Sequence, residues 1–339
     1  MEAKPQIPRR GPPHQRLVES RSLNQRWRFT APPVIAILVG LIAWASYQIP
    51  SPGISDFDQL HLAARALLKG ADPYAAVVSA GYPFPLFYPL PAVLLAVPFT
   101  PLPIDLARAA WSGLGAGCLT AAALRYRRAL PVALLGAGFG SAVVLGQWSP
   151  IATAAAVFPW LSVAWIAKPT IGAALFVAYP TRRAALLCSI FLALSVAVWP
   201  SWPASWYHAL QSSFQTAPVL QPGGFLLLLA LLRWRRPEGR LLAALACAPQ
   251  SIQLYETVPL FLIPRTRWEG YALAASSLLA AFLQAWIFPP RLSESLAHNL
   301  SARWPILLLL IYLPALALVL RLPKSDNAIE STGVPSPSA

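Results

Sequence analysis

Three of the chain's few acidic side chains lie together in a polar stretch, Ser55–Tyr74. They are Asp56, Asp58 and Asp72, and the whole sequence of 339 residues holds only 12 Asp and Glu residues. Partial burial raises the pKa of a carboxylate, which can then take a proton from a hydroxyl group. The stretch therefore predicts a general base, with Asp56 or Asp58 as the catalytic residue. The alternative is structural: Ser55 or Asp56 caps a helix, and Asp58 complements its dipole.

The spacing around these acids predicts a short amphipathic helix over Asp58–Lys69, preceded by Asp56 and ended by Gly70 and Pro73. Two residues apart on a helix, Asp56 and Asp58 point in nearly opposite directions, so only one of them faces a given cavity. Polar residues at helical spacing form one stripe along this helix: Asp58, His61, Arg65 and Lys69.

Lys168 is the only lysine within a long apolar stretch, Trp160–Tyr179. An ionisable residue inside a membrane segment suggests a functional site, and an ammonium group suits a phosphate. Lys168 is therefore predicted to hold a phosphate, with Arg108 as a weaker partner. In the alternative, the aliphatic part of the Lys168 side chain lies in the membrane and its ammonium group lies at the membrane surface.

The other candidates are polar or aromatic residues at the ends of apolar segments. Gln147 is predicted either to bind a sugar hydroxyl or to satisfy backbone groups left free at a helix end. Glu256 is predicted either to be a second acid or to form an ion pair with Arg108. The predicted substrate-binding residues are His61, Tyr74, Tyr88, Arg108, Gln147, Lys168, Tyr255 and Glu256. No HxxxH, CxxC or HxxE pattern indicates a metal, and no glycine-rich phosphate loop indicates a nucleotide, so neither is expected.

Composition places these residues in a membrane protein. Hydrophobic residues make up 57% of the chain, charged residues only 11%, and the mean hydropathy is +0.55. Soluble domains carry about twice that share of charge. The net charge of +14 lies in short basic runs between apolar segments, as in the positive-inside pattern, which argues against nucleic acid as a partner. The 36 prolines predict broken or re-entrant helices.

The sequence thus predicts an all-α polytopic membrane protein with about eleven membrane segments, several too short to span alone. Residues 1–30 are predicted to be a disordered basic cytoplasmic tail, 31–322 a transmembrane domain, and 323–339 a disordered inner tail. Residues 50–104 form a first outer loop that contains amphipathic juxtamembrane helices. In this topology the reactive side chains gather at the outer face.

The order of several short motifs resembles the first outer loop and later elements of GT-C glycosyltransferases. The resemblance spans about residues 33–320 and is to glycosyltransferase family 87, the polyprenyl-phosphate-mannose-dependent mannosyltransferase-like group. The matching motifs are Asp56-Phe57, Gly70–Tyr74, Phe87–Pro91, Gly146-Gln147, Ile166–Pro169 and Pro249–Tyr255.

This resemblance implies a GT-C fold and an inverting transfer of a hexose, with mannose expected, from a polyprenyl-phosphate-sugar donor. Asp56 would be the base, with Asp58 in reserve, and Lys168 would hold the donor phosphate. The lipid-linked donor is a co-substrate, and no cofactor is expected. The implied acceptor is a glycolipid or polysaccharide at the outer face of a bacterial-type cytoplasmic membrane, whose bilayer is a further partner.

Two alternatives stay open. A lipid-linked-sugar flippase or other transporter would share the broken helices and the buried lysine, but it would place polar groups near the midplane and use both faces. A non-catalytic member of the same fold is the other alternative. It is kept because Leu60 and His61 stand where the family usually has a tyrosine, and Leu254 where it has a histidine.

Overall fold

The computed structural model describes residues 13–48, 55–126, 129–213, 215–288 and 296–322, and these residues form helices without any β-strand. The all-α prediction is therefore confirmed. The α-helices of the described residues are α1 (Pro13–Tyr47), α2 (Asp56–Leu68), α3 (Pro73–Ser79), α4 (Leu90–Ala96), α5 (Ile104–Arg125), α6 (Ala137–Val144), α7 (Ser149–Ala155), α8 (Val163–Ala167), α9 (Pro169–Ala178), α10 (Arg182–Val198), α11 (Trp202–Leu210), α12 (Pro237–Cys247), α13 (Arg267–Ile287), α14 (Leu296–Leu307) and α15 (Leu313–Leu320).

Short 3-10 helices and one π-helical segment, Leu308–Tyr312, connect these helices. Many of these helices have a proline in their first turn. Proline has no backbone N–H, and this costs nothing in the first turn, where the N–H would have no partner within the helix. Pro159 is one example: it opens a 3-10 helix between α7 and α8. The 3-10 helices are Val97–Phe99, Leu130–Leu135, Pro159–Leu161, Pro218–Leu220, Gly224–Arg233 and Leu254–Leu262.

Three described helical stretches are long and apolar enough to cross a membrane: Trp27–Tyr47, Arg267–Ile287 and Ala302–Leu320. Two sharply bent pairs raise the number to five if each pair is one span. The chain bends by 110° between residues 90–99 and α5, and by 100° between α10 and α11. Length and composition thus support membrane association. The finer count of about eleven segments stays a prediction, as does the orientation of the chain.

Helix α1 begins well before its apolar part. It starts at Pro13, so the predicted disorder is wrong for residues 13–30, while residues 1–12 lie outside the described residues. The segment after Pro13 is rich in Gln, Arg, Leu and Glu, which favour helices, and an apolar helix already formed behind it extends at low cost. The predicted tail from residue 323 also lies outside the described residues.

Helices α1 and α5 pack closely because glycines replace side chains at their crossing. A Cβ on Gly113 would lie 2.6 Å from the Ala36 carbonyl oxygen, and one on Gly40 would lie 3.1 Å from that of Ala109. Small residues that let backbones approach are a common basis of helix association in membranes. This contact fixes α5, from which Arg108 and Trp111 project toward the first loop.

A separate aromatic core joins α2 to α5. The Phe57 ring stacks on Trp111 with centroids 5.1 Å apart, and Trp148 meets Trp111 edge-on at 4.5 Å. All three side chains are buried. Aromatic pairs in these geometries add about 0.5–1.5 kcal/mol to what burial itself contributes. The first loop is therefore packed onto the membrane helices, which holds the amino end of α2 in place.

Candidate active site

A cavity of about 550 Å³ lies where α2, the α8–α9 junction and the loop before Leu254 meet. Its volume is in the usual range for small-molecule sites. Asp56 and Lys168, the predicted base and phosphate-binding residue, both line it. Further lining residues are Gln59, Phe84, Phe87, Tyr88, Trp206, Ser251 and Tyr255.

Asp56 is the first residue of α2, held there by a helix cap. The Ser55 hydroxyl accepts a hydrogen bond from the Phe57 N–H at 3.2 Å, and the Ser55 N–H donates to Asp58 Oδ2 at 3.3 Å. The Ser55 side chain also meets the Asp58 N–H, which together with the Ser55 N–H bond to Asp58 makes a capping box. The predicted start at Asp58 was therefore two residues late, since Ser55 is the cap and Asp56 already belongs to the helix.

The turn at Leu145 and Gly146 ties the start of α2 to the end of α6. The Leu145 carbonyl oxygen accepts from the Asp56 N–H at 3.2 Å and from the Ser55 hydroxyl at 3.0 Å. The Gly146 carbonyl accepts from Trp111 Nε1 at 3.0 Å. Gly146 has a φ of +61°, a left-handed conformation that favours glycine. A Cβ there would lie 2.7 Å from Ser55 Oγ.

We expect Gly146→Ala to lower both the stability of the chain and any activity that depends on Asp56. The left-handed conformation costs an alanine about 1–2 kcal/mol, and the collision with Ser55 displaces the cap that positions Asp56. The measurement is the apparent melting temperature of the purified chain in detergent. Gly140→Ala is the matched control, because a Cβ on Gly140 meets nothing within 4 Å. Equal melting temperatures for the two variants would contradict this account of the turn.

A chain of side-chain hydrogen bonds links Asp56 to Lys168 through Gln147. Gln147 Nε2 donates to Asp56 Oδ2 at 2.6 Å, and Lys168 Nζ donates to Gln147 Oε1 at 2.6 Å. The Tyr88 hydroxyl donates to Asp56 Oδ2 at 2.7 Å. Gln147 therefore bonds to side chains of the site, so the alternative that it serves only freed backbone groups is wrong. Its amide fixes the relative positions of the two charges.

Lys168 lies at the break between α8 and α9, where Pro169 opens the second helix. Its side chain is buried at 6% exposure, and Nζ lies 4.1 Å from the centroid of the Tyr255 ring. The ring face supplies a favourable cation–π contact. Lys168 is thus held inside the protein, which contradicts the alternative of a lysine that extends to the membrane surface.

Glu256 shapes the loop that presents Tyr255 to the cavity. Its Oε1 accepts from the Ser251 N–H at 3.2 Å and from the Ser251 hydroxyl at 3.1 Å, while Oε2 accepts from the Gln253 N–H at 3.4 Å. Glu256 is fully buried and does not line the cavity. The predicted pairing of Glu256 with Arg108 is wrong, because its carboxylate caps its own loop.

Asp58 faces away from the cavity, as the helical spacing predicted. Both of its oxygens accept hydrogen bonds from Arg108, which also lies 3.6 Å from the exposed Asp105. Burial raises the pKa of Asp58, and the Arg108 guanidinium opposes that rise. Asp58 and Arg108 thus form a buried ion pair that joins α2 to α5. Neither residue lines the cavity, so Asp58 is not placed as a second base nor Arg108 as a phosphate ligand.

We expect Arg108→Met to destabilise the fold strongly, because it leaves Asp58 buried without its partner. Losing one member of a buried pair costs about 3–5 kcal/mol. The apparent melting temperature of the detergent-solubilised chain should fall for Arg108→Met and recover in part for the double variant Asp58→Asn/Arg108→Met. Arg182→Met, which removes an exposed arginine at the start of α10, should have little effect. A double variant no more stable than Arg108→Met would contradict the pairing.

Two further predicted substrate-binding residues lie outside the cavity lining. The buried Tyr74 hydroxyl donates to the Tyr88 carbonyl oxygen at 3.2 Å, so Tyr74 holds the backbone of Tyr88 in place. His61 lies on the face of α2 that carries Asp58. The cavity therefore brings together Asp56, Tyr88, Lys168 and Tyr255, with Gln147 bonded between the two charges.

The sequence predictions missed several residues of the cavity wall. Gln59 lines it, one turn along α2 from Asp56, and its Nε2 donates to the Phe84 carbonyl oxygen at 3.2 Å. Trp206 of α11 lines it as well, and its indole N–H donates to the Phe87 carbonyl at 2.9 Å. Helical spacing from Asp56 could have identified Gln59. The position of Trp206 depends on the sharp bend between α10 and α11.

Among the described residues, no group of three or more His, Cys, Asp and Glu side chains is arranged to hold a metal ion. The expectation of a site without metal stays a prediction. Comparisons with protein-family models, curated proteins and solved structures find no match to this chain.

Proposed function

We propose that the chain is an inverting glycosyltransferase of the GT-C type that moves a hexose from a polyprenyl-phosphate donor to an acceptor hydroxyl at the outer face of the membrane. One observation carries the proposal: Asp56 and Lys168, bridged by Gln147, face a single cavity in a membrane-associated helical fold. A base and a cation at fixed separation are what this reaction needs. The motif order that resembles glycosyltransferase family 87 adds support.

In the proposed reaction, the acceptor hydroxyl attacks the anomeric carbon of the sugar from the side opposite the phosphate. A bond forms between the acceptor oxygen and that carbon, and the bond between the carbon and the phosphate oxygen breaks. Asp56 takes the hydroxyl proton, and polyprenyl phosphate leaves with the bonding electrons. One displacement inverts the anomeric configuration and requires no covalent enzyme intermediate.

Lys168 acts on the leaving group. The donor phosphate is a diester with one negative charge, and it becomes a monoester that gains a second charge as the bond breaks. A fixed ammonium therefore binds the transition state more tightly than the bound donor. Burial strengthens this interaction, because few water molecules compete with the phosphate. The aromatic residues Tyr88, Phe87 and Trp206 supply apolar surface against which a sugar ring and the first prenyl units can pack.

The test supplies radiolabelled polyprenyl-phosphate-mannose, and then the glucose and arabinose analogues, to membranes that contain the full chain and their endogenous acceptors. Membranes from the same cells without the chain are the control. We expect label to appear in a new glycoconjugate only where the chain is present. Label that reaches the opposite leaflet still attached to the original lipid would identify a transporter instead. If neither a labelled glycoconjugate nor movement of the labelled lipid is seen with any of the donors, the proposal is overturned.

A further inference from the structure

A second pocket of about 440 Å³ lies on the other side of α2 from Asp56. We call it the basic pocket. None of its lining residues lines the candidate active site. The polar residues of its wall are Asp58, His61, Arg65, Lys69 and Tyr82. The stripe that helical spacing predicted along α2 therefore faces a cavity of its own, and the proposed sugar transfer does not use it.

The charges around this pocket favour an anion. Arg65 and Lys69 are exposed, and neither forms an ion pair with any other residue that the structure describes. Asp58 is the only carboxylate in the wall, and Arg108 neutralises it. Two free cations one helical turn apart repel each other modestly, so their placement is unfavourable until an anion lies between them. The pocket therefore has positive charge in excess.

His61 places an imidazole ring in the wall of the basic pocket. The side chain lines the pocket but is only 4% exposed; its Nε2 is enclosed, and the ring lies beside the backbone carbonyls of Phe99 and Leu102. A ligand in the pocket therefore meets another edge of the imidazole ring. The Tyr82 hydroxyl adds another donor at the same wall.

We propose that the basic pocket binds the phosphate group of an anionic ligand at the membrane surface, through Arg65, Lys69 and His61. A guanidinium, an ammonium and an imidazole from successive turns of one helix approach a tetrahedral anion from one side, and phosphate offers several oxygens to receive them. A carboxylate, with two oxygens in one plane, would leave donors unused. The phosphate belongs either to a lipid headgroup or to a soluble phosphorylated compound.

Occupation of the pocket also reaches the candidate active site. Asp58 lies in the pocket wall and at the same time receives the Ser55 N–H that caps α2 at Asp56. A phosphate bound in the pocket places negative charge beside Asp58, and so acts on the carboxylate that holds both Arg108 and the cap. The binding itself does not depend on sugar transfer, so it can be tested whether or not the proposed reaction is found.

The test measures the apparent melting temperature of the full chain in phosphatidylcholine nanodiscs at constant ionic strength. One arm adds glycerol phosphate, and the other replaces part of the lipid by phosphatidylglycerol. A ligand that binds the folded state raises the melting temperature in a concentration-dependent way. A response in the first arm identifies a soluble phosphate as sufficient, and a response only in the second identifies a lipid headgroup. If the melting temperature changes in neither arm, the proposal is overturned.

The variant Arg65→Gln/Lys69→Gln should bind at least about tenfold more weakly, since it removes both exposed cations of the pocket. His61→Leu should also weaken binding. The matched control is Arg182→Gln/Arg183→Gln, which removes two exposed arginines of α10 and should respond like the wild type. Asp56→Asn should respond like the wild type as well, which separates this site from catalysis. An unchanged response of the Arg65→Gln/Lys69→Gln variant overturns the proposal.

Discussion

Asp56→Asn is expected to lower the rate of sugar transfer by about 10²–10⁴-fold, the usual contribution of a general base, in a chain that still folds. The asparagine oxygen can accept the hydrogen bonds that Gln147 Nε2 and the Tyr88 hydroxyl now donate to Asp56 Oδ2. The side chain thus keeps its place and loses only its ability to take a proton. Initial transfer rates from labelled donor, normalised to the amount of chain, measure the effect.

The matched control is Asp105→Asn, which removes an exposed carboxylate at the start of α5 and leaves the cavity untouched. We expect its transfer rate to stay within about twofold of the wild type, because surface ion pairs contribute little to stability. Apparent melting temperatures of both variants show whether the fold is intact. Transfer by Asp56→Asn at close to the wild-type rate would rule out Asp56 as the base.

The opposite directions of Asp56 and Asp58 were predictable because they follow from helix geometry alone. Two residues turn a helix by about 200°, so one carboxylate had to face away from whatever the other faced. The start of α2 was predictable too, although the prediction placed it two residues late. Ser55 and Asp58 stand three residues apart, the spacing of a capping box, with Asp in place of the more common Glu.

The partner of Arg108 could not be predicted from the sequence. Arg108 and Asp58 are separated by 50 residues in the chain, and their contact exists only because α5 crosses beneath α2. By charge alone, Glu256 was an equally good candidate for the partner of Arg108. The conformation of residues 224–233 was also beyond the sequence, which shows an apolar run typical of a membrane helix. The structure winds this run as a 3-10 helix, since tertiary packing outweighs local propensity.

Lys168 was identified from its isolation in an apolar stretch, but its role depends on contacts that only the structure provides. We expect Lys168→Met to lower the transfer rate on the order of 10²–10³-fold, as for the loss of one group that stabilises developing negative charge. Methionine has an unbranched side chain of similar length, so it fills the space without the charge. Steady-state kinetics with varied donor measure kcat and KM separately. Arg182→Met, at an exposed position outside the cavity wall, is the control for loss of a cation.

The division of the Lys168 effect between kcat and KM distinguishes two roles. If the ammonium stabilises the charge that grows on the leaving phosphate, kcat falls far more than the affinity for donor changes. If Lys168 acts only by holding Gln147 against Asp56, Gln147→Met should cause the same loss, and the double variant should lose no more than either single one. We expect the first pattern: Gln147→Met should be the milder single variant, because Tyr88 still donates to Asp56 when Gln147 is gone. A Gln147→Met loss equal to that of Lys168→Met, without further loss in the double variant, would make Lys168 a positioning residue and leave the donor phosphate to be bound elsewhere.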